Sequence, residues 1–290
     1  MKLKALVIAA LVLAGVPLWG QQTVIPSRKD VSYGDHKAQA VDVYLPKSDQ
    51  PTPAMIYIHG GGWRGGSKSS VPFFLKRAVA EGWLAVLSVE YRFTNVATHP
   101  AQKNDCLRAV QFVRSKAKEW NIDPTRLAAT GGSAGGHLTM FVALHDDVAD
   151  PDSEDPVARL SSRVHCAVPF AGPSDWSLLS TIKHDHPAYR QLIGYEPGTP
   201  AGDMDEARKK KVSPITYVSA DDPPMMIVHG DADVIVPLAH ADRMFERLKS
   251  AGVEVDLVTI KGGKHNVAGA GHPEAINKAV PFIKKHLKVT

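Results

Sequence analysis

From about residue 40 to the C-terminus, short apolar, β-branched segments alternate with amphipathic ones. Parallel strands cannot be joined by tight turns and need a crossover of a dozen or more residues, usually a helix. This rhythm therefore constrains the chain to an α/β fold, a mostly parallel central sheet with helices on both faces. The pattern predicts strands over residues 41–45, 54–59, 84–91, 126–130, 165–170, 225–229 and 253–260. Between them, helical spacing is expected over 73–81, 105–120, 137–144, 238–251 and 273–287. Cys106, Ala109, Val110, Val113, Ala117 and Trp120 fall on one face of the 105–120 segment, with Asp105 placed to cap or start it. Residues 174–213 break every period with Pro, Gly, His and charge, as expected of a lid or pocket wall inserted between core strands.

At 290 residues the chain can bury one large α/β core, and its 44% hydrophobic and 22% charged composition excludes extended disorder. Lys2 and Lys4 precede an unbroken apolar run from Ala5 to Val16, followed by Gly20 and Gln21. The run is too short for a comfortable membrane span and reads as a signal peptide over residues 1–20. The expected organisation is that leader followed by one α/β domain over 21–290, secreted or periplasmic. The formal charge of +4 falls to +2 without Lys2 and Lys4, which argues for neither a nucleic-acid nor a stable membrane partner. Cys106 on a helix and Cys166 on a core strand read as two buried thiols rather than a disulfide. Nothing in the sequence specifies an oligomeric state.

Four glycine-bearing junctions carry the chemistry. Gly131-Gly132-Ser133-Ala134-Gly135 fits GxSxG where an apolar strand meets an apolar helix, the sequence form of a nucleophile elbow at Ser133. His59-Gly60-Gly61-Gly62-Trp63 follows another strand, where side-chain-free backbone N–H groups can receive an oxyanion. Gly61 and Gly62 are the expected donors, with the Ala134 amide as a third. No GK[ST] or GxGxxG pattern turns that run into a phosphate loop. Asp231 and Asp233 lie just beyond the 225–229 strand, where an acid can orient a histidine. His265 ends the loop after the last strand, placed to act as general base. The order serine, acid, histidine, each at a strand's carboxyl end, is that of an α/β-hydrolase triad. Glu90 and Asp105 read as structural acids beside Arg92 and a helix start, and Tyr91-Arg92 as a brace for the oxyanion loop. His184-Asp185-His186 lacks a helical HExxH context and reads as a polar loop, so no metal site is expected.

Together these blocks resemble the α/β-hydrolase esterases of the hormone-sensitive-lipase type and, more closely, the bacterial feruloyl-esterase-like or acetylxylan-esterase-like group. The resemblance spans about residues 30–288 and rests on HGGGW at 59–63, VEYR at 89–92, NIDPTRLAATGGSAGGH at 121–137, SPITYV at 213–218, PPMMIVHGDADVIVP at 223–237 and KGGKH at 261–265. It implies the α/β-hydrolase fold and a serine carboxylic-ester hydrolase acting through Ser133, Asp233 and His265, without metal or organic cofactor. The family pattern HGxxDxxVP selects Asp233 over Asp231, and the family's use of the second and third glycines of HGGG matches Gly61 and Gly62. SAGG at the elbow, where prolyl-oligopeptidase-type peptidases show SYGG, implies ester rather than peptide substrates. A noncatalytic binding module on the same fold would lack a triad member or the donors. The subgroup implies acetyl or feruloyl groups on carbohydrates, with Trp63, Trp176 and Tyr189 as candidate stacking surfaces. Glu90 stands where relatives often carry a small or amide residue.

Overall fold

A computed structural model describes residues 24–181, 186–268 and 272–289, so the leader expected over 1–20 lies outside the described residues. Eight strands form one sheet: β1 (Arg28–Ser32), β2 (Ala40–Tyr44), β3 (Thr52–Ile58), β4 (Ala85–Val89), β5 (Ile122–Gly132), β6 (Cys166–Phe170), β7 (Met225–Gly230) and β8 (Val255–Ile260). Their spatial order is β1-β2-β4-β3-β5-β6-β7-β8. The β1–β2 and β2–β4 pairs are antiparallel, and every pair from β4 onward is parallel. β1 escaped the sequence reading because Arg-Lys-Asp-Val-Ser is charged and exposed, the composition of an edge strand that discourages pairing with other chains.

The helices are α1 (Phe73–Ala80), α2 (Ala101–Ser115), α3 (Ala134–Leu144), α4 (Ala188–Leu192), α5 (Glu206–Val212), α6 (Ala239–Ser250) and α7 (Pro273–His286). Side chains alternate across a strand, so each central strand feeds two cores. Ile56 and Ile58 join Leu107, Leu138 and Met244 on the face covered by α2, α3 and α6. Met55 and Tyr57 join Leu75 and Phe282 on the face covered by α1 and α7. This two-faced, mostly parallel sheet is the α/β-hydrolase fold. Both cysteines are buried free thiols. Among the described residues, no helix is long and apolar enough to cross a membrane.

Asp105 is not a helix start. α2 begins at Ala101, and the buried Asp105 carboxylate takes the Arg92 guanidinium at 2.6 to 3.2 Å. A capping acid and an ion-paired acid look alike in sequence, and the tertiary partner decided. Among the described residues of the irregular stretch 174–213, Trp176, Tyr189 and Leu192 all insert into the α2/α3 side of the core.

Register carries the site. Ile58 pairs with Gly131 and Gly132 with Phe170, while Gly230 pairs with Ile260, so the carboxyl ends of β3, β5, β6, β7 and β8 lie along one edge. Loops leaving that edge form the crevice where α/β sheets bind ligands. The elbow tolerates no bulk there: a Cβ on Gly135 would sit 2.0 Å from the Ile58 carbonyl oxygen.

Candidate active site

Ser133 occupies the turn between β5 and α3 at φ 58° and ψ −123°, a conformation that side-chain-bearing residues avoid and that persists only where surrounding contacts over-determine it. Those contacts are present: its N–H donates to Phe170 O at 2.9 Å and its carbonyl accepts from His137 N at 3.0 Å. Ser133 Oγ lies 2.8 Å from His265 Nε2. His265 Nδ1 lies 2.7 Å from Asp233 Oδ2. A carboxylate only accepts, so Nδ1 carries the proton and Nε2 presents its lone pair to the serine hydroxyl. Asp233 Oδ1 accepts from the amides of Ile235 and Val236, both at 2.9 Å, which fixes the carboxylate plane. Burial pushes the Asp233 carboxyl up, but the His229 ring 3.5 Å away and the hydrogen bonds from His265 and the Val236 amide together outweigh it and hold the group well below the usual carboxylate range. Asp231 instead accepts from Gly262 N at 2.6 Å, and so shapes the loop that carries His265.

His229 was not singled out by the sequence reading. Its Nε2–H donates to Val236 O at 2.7 Å with Asp233 Oδ2 3.5 Å away, pinning the turn that holds the acid. Its position in the His229-Gly230-Asp231-Ala232-Asp233 run was the available signal.

The loop after β3 turns through three left-handed residues, Gly61 at φ 118°, Gly62 at 61° and Trp63 at 58°. Among the described residues no protein acceptor takes the amides of Gly61, Gly62 or Ala134, which are the three expected donors. Tyr91 braces this loop, its hydroxyl donating to His59 O at 3.0 Å, whereas Arg92 serves Asp105. Glu90 does not accompany Arg92 either: its carboxylate lies 2.7 Å from His59 Nε2.

Two cavities meet at Ser133 and His265. The smaller, about 400 Å³, is lined by Gly61, Gly62, Trp63, Ala188, Tyr189, Ile235 and Val236. The larger, about 890 Å³, runs past Phe73, Phe74, Arg77, Asn266 and Asn277. The 174–213 segment thus walls the smaller cavity through Ala188 and Tyr189. Trp176 corrects the expectation of a stacking surface. It is fully buried, donates from Nε1 to Tyr189 O at 3.1 Å and packs beside Trp63, so its faces are spent on the core. Trp63 reaches the smaller cavity, but only 2% of it is exposed and its indole N–H is committed to His137 Nδ1 at 3.1 Å. His184 and Asp185 lie outside the described residues, and among the described residues no group of three or more His, Cys, Asp or Glu could hold a metal ion.

Three histidines outside the triad are held neutral. Burial lowers His137 to about 3 against the pull of the Val212 carbonyl, and lowers His240 to about 3. Burial, aided by Lys103, brings His99 to about 4. All three start from 6.5, so between pH 6.5 and about 4 the unfolded chain binds protons that the folded one refuses. Stability is therefore full above pH 6.5 and falls as the pH drops below it, by about 1.4 kcal/mol per pH unit for each ring. Urea midpoints measured from pH 7.5 to 4.5 should decline across this window, before most carboxylates titrate; a flat profile would contradict the burial of these rings.

The sequence profile of the BD-FAE family matches residues 41–248. The chain belongs to the BD-FAE family. This BD-FAE member is 33% identical over 227 residues to the probable carboxylic ester hydrolase LipM of Mycobacterium tuberculosis, covering 76% of this chain and 51% of that protein. It is 29% identical to Esterase LipC of the same organism, covering 82% and 59%. The chain thus spans little more than half the length of these relatives. Among solved structures, a truncated form of a carbohydrate esterase from gut microbiota superposes with TM-score 0.79 at 27% identity, covering 92% of this chain and 98% of that one. An acetyl ester-xyloside bifunctional hydrolase from Caldicellulosiruptor lactoaceticus gives 0.68 at 26% identity, covering 94% and 92%.

Proposed function

We propose that this protein is a serine carboxylic-ester hydrolase that works through an acyl-enzyme on Ser133. The observation that carries the reading is the unbroken hydrogen-bond chain from Asp233 through His265 to Ser133 Oγ, which opens on the cavity lined by Gly61 and Gly62 and is followed by the uncommitted Ala134 amide. As Oγ attacks the ester carbon, its proton passes to His265 Nε2 and the carbonyl electrons move onto oxygen. The amides of Gly61, Gly62 and Ala134 receive that oxyanion. Collapse expels the alcohol, which takes the proton from Nε2. Water then repeats the sequence in the second half and releases the acid. Asp233 stays ionised throughout and stabilises the imidazolium. The scheme calls on no metal or organic cofactor.

Acetyl or feruloyl esters of carbohydrates are the proposed substrate class, with small carboxylic esters as generic ones. The carbohydrate-esterase neighbours support this, as do two cavities that leave room on either side of the serine for an acyl part and an alcohol part. Export by the leader of residues 1–20 belongs to the same reading, its mark a mature chain that begins at Gln21. The deciding assay compares acetate release from acetylated xylan, ferulate release from methyl ferulate, and cleavage of short against long p-nitrophenyl esters. Short-chain turnover together with release from at least one of the other two is expected. Cleavage of p-nitrophenyl acetate with neither of them would remove the carbohydrate part and leave the esterase.

A further inference from the structure

The oxyanion loop is closed at its base by one carboxylate. Glu90, immediately after β4, accepts from His59 Nε2–H at 2.7 Å through Oε1 and from Lys68 N at 3.1 Å through Oε2, and so ties the first residue of the loop to its return. The other ring nitrogen, His59 Nδ1, lies 2.7 Å from Gly60 O. Both nitrogens of this buried ring therefore face oxygen atoms, Glu90 Oε1 on one side and Gly60 O on the other. Tyr91 stacks on the ring at 4.6 Å between centroids, so the ring has one orientation in which to hold the loop.

That bond to Gly60 has a consequence one residue on. A trans peptide is planar, and its C=O and N–H point in opposite directions. Holding Gly60 O against the ring sends the Gly61 N–H away from it. In the same way, the bond from Arg64 N to Gly61 O at 3.2 Å sends the Gly62 N–H to the opposite side. Glycines flip such peptides at little cost, and a flip would put a carbonyl where the oxyanion needs a donor.

We propose that Glu90 is a positioning residue for the oxyanion hole: by bridging His59 and Lys68 N it holds the Gly60–Gly61 peptide with its N–H available to the developing oxyanion. The proposal rests on the ester-hydrolase reading above. Hydrogen bonding rather than charge performs the task. In Glu90→Gln the amide nitrogen can donate to His59 Nε2 while its oxygen accepts from Lys68 N, leaving Nδ1–H on Gly60 O. Glu90→Ala removes the bridge, and Glu90→Asn is polar but too short to span it.

The test measures kcat and KM for p-nitrophenyl acetate per serine labelled by a fluorophosphonate, with phenylboronic acid as the transition-state probe. Glu90→Ala and Glu90→Asn should each lose roughly 10- to 100-fold in kcat with KM within about twofold, and bind the boronate weaker by a similar factor. Glu90→Gln should return to within a few-fold of the parent. If Glu90→Ala does not fold, Glu90→Asn against Glu90→Gln decides. A short variant with kcat per labelled serine within twofold of the parent, or a Glu90→Gln variant as impaired as the short ones, overturns the proposal. A parent protein that cleaves no ester would instead sink the functional reading, so the two failures are distinct.

Discussion

Ser133→Ala should lower ester turnover by on the order of 10⁴-fold or more while leaving the fold in place. The variant keeps His265, Asp233 and the three amides but has no oxygen to attack the carbonyl carbon, so only water remains as nucleophile. The backbone at φ 58° strains alanine about as much as serine, and the two main-chain bonds that fix the turn, to Phe170 O and from His137 N, do not involve the side chain. The thermal midpoint should thus stay close to that of the parent, and labelling by a fluorophosphonate should vanish. Near-normal hydrolysis by folded Ser133→Ala protein would rule out the nucleophile assignment and the acyl-enzyme with it.

Asp233→Asn should cost on the order of 10³- to 10⁴-fold in kcat, through the tautomer of His265. The Ile235 and Val236 amides donate to Oδ1, so an asparagine keeps its oxygen there and turns its NH₂ toward His265 Nδ1. Nδ1 must then accept, the ring proton moves to Nε2, and the nitrogen facing Ser133 has no lone pair for the hydroxyl proton. Because the turn keeps its two amide bonds, stability should change far less than rate. An Asp233→Asn enzyme within tenfold of the parent in kcat would show that Asp233 does not set the protonation of His265.

The catalytic candidates were legible because each sits at a strand's carboxyl end beside glycines, and strand periodicity with glycine placement is written locally. Order along the chain picked out Ser133 and His265 and narrowed the acid to Asp231 or Asp233, between which the family pattern HGxxDxxVP selects Asp233. Gly61, Gly62 and Ala134 followed from the requirement for unobstructed N–H groups. Three readings failed where the deciding partner lies far off in sequence. Asp105 resembles a helix-starting acid until β4 brings Arg92 to it. Trp176 resembles a stacking surface until the core closes over it. Glu90 resembles a companion of Arg92 until it meets His59, 31 positions away.

The sequence by itself determined the fold class, the order of the reactive residues and which end of the sheet carries them, because alternating hydrophobicity and glycine runs act through neighbours a few positions apart. Only the tertiary structure showed the contacts themselves: the Asp233 carboxylate meets His265 across 32 positions while Asp231 accepts from Gly262 N, and His265 reaches Ser133 across 132. Those separations are closed by the register of parallel strands and by buried hydrogen bonds, and a hydrogen bond is lost within about half an ångström or a modest rotation. No local pattern carries that precision.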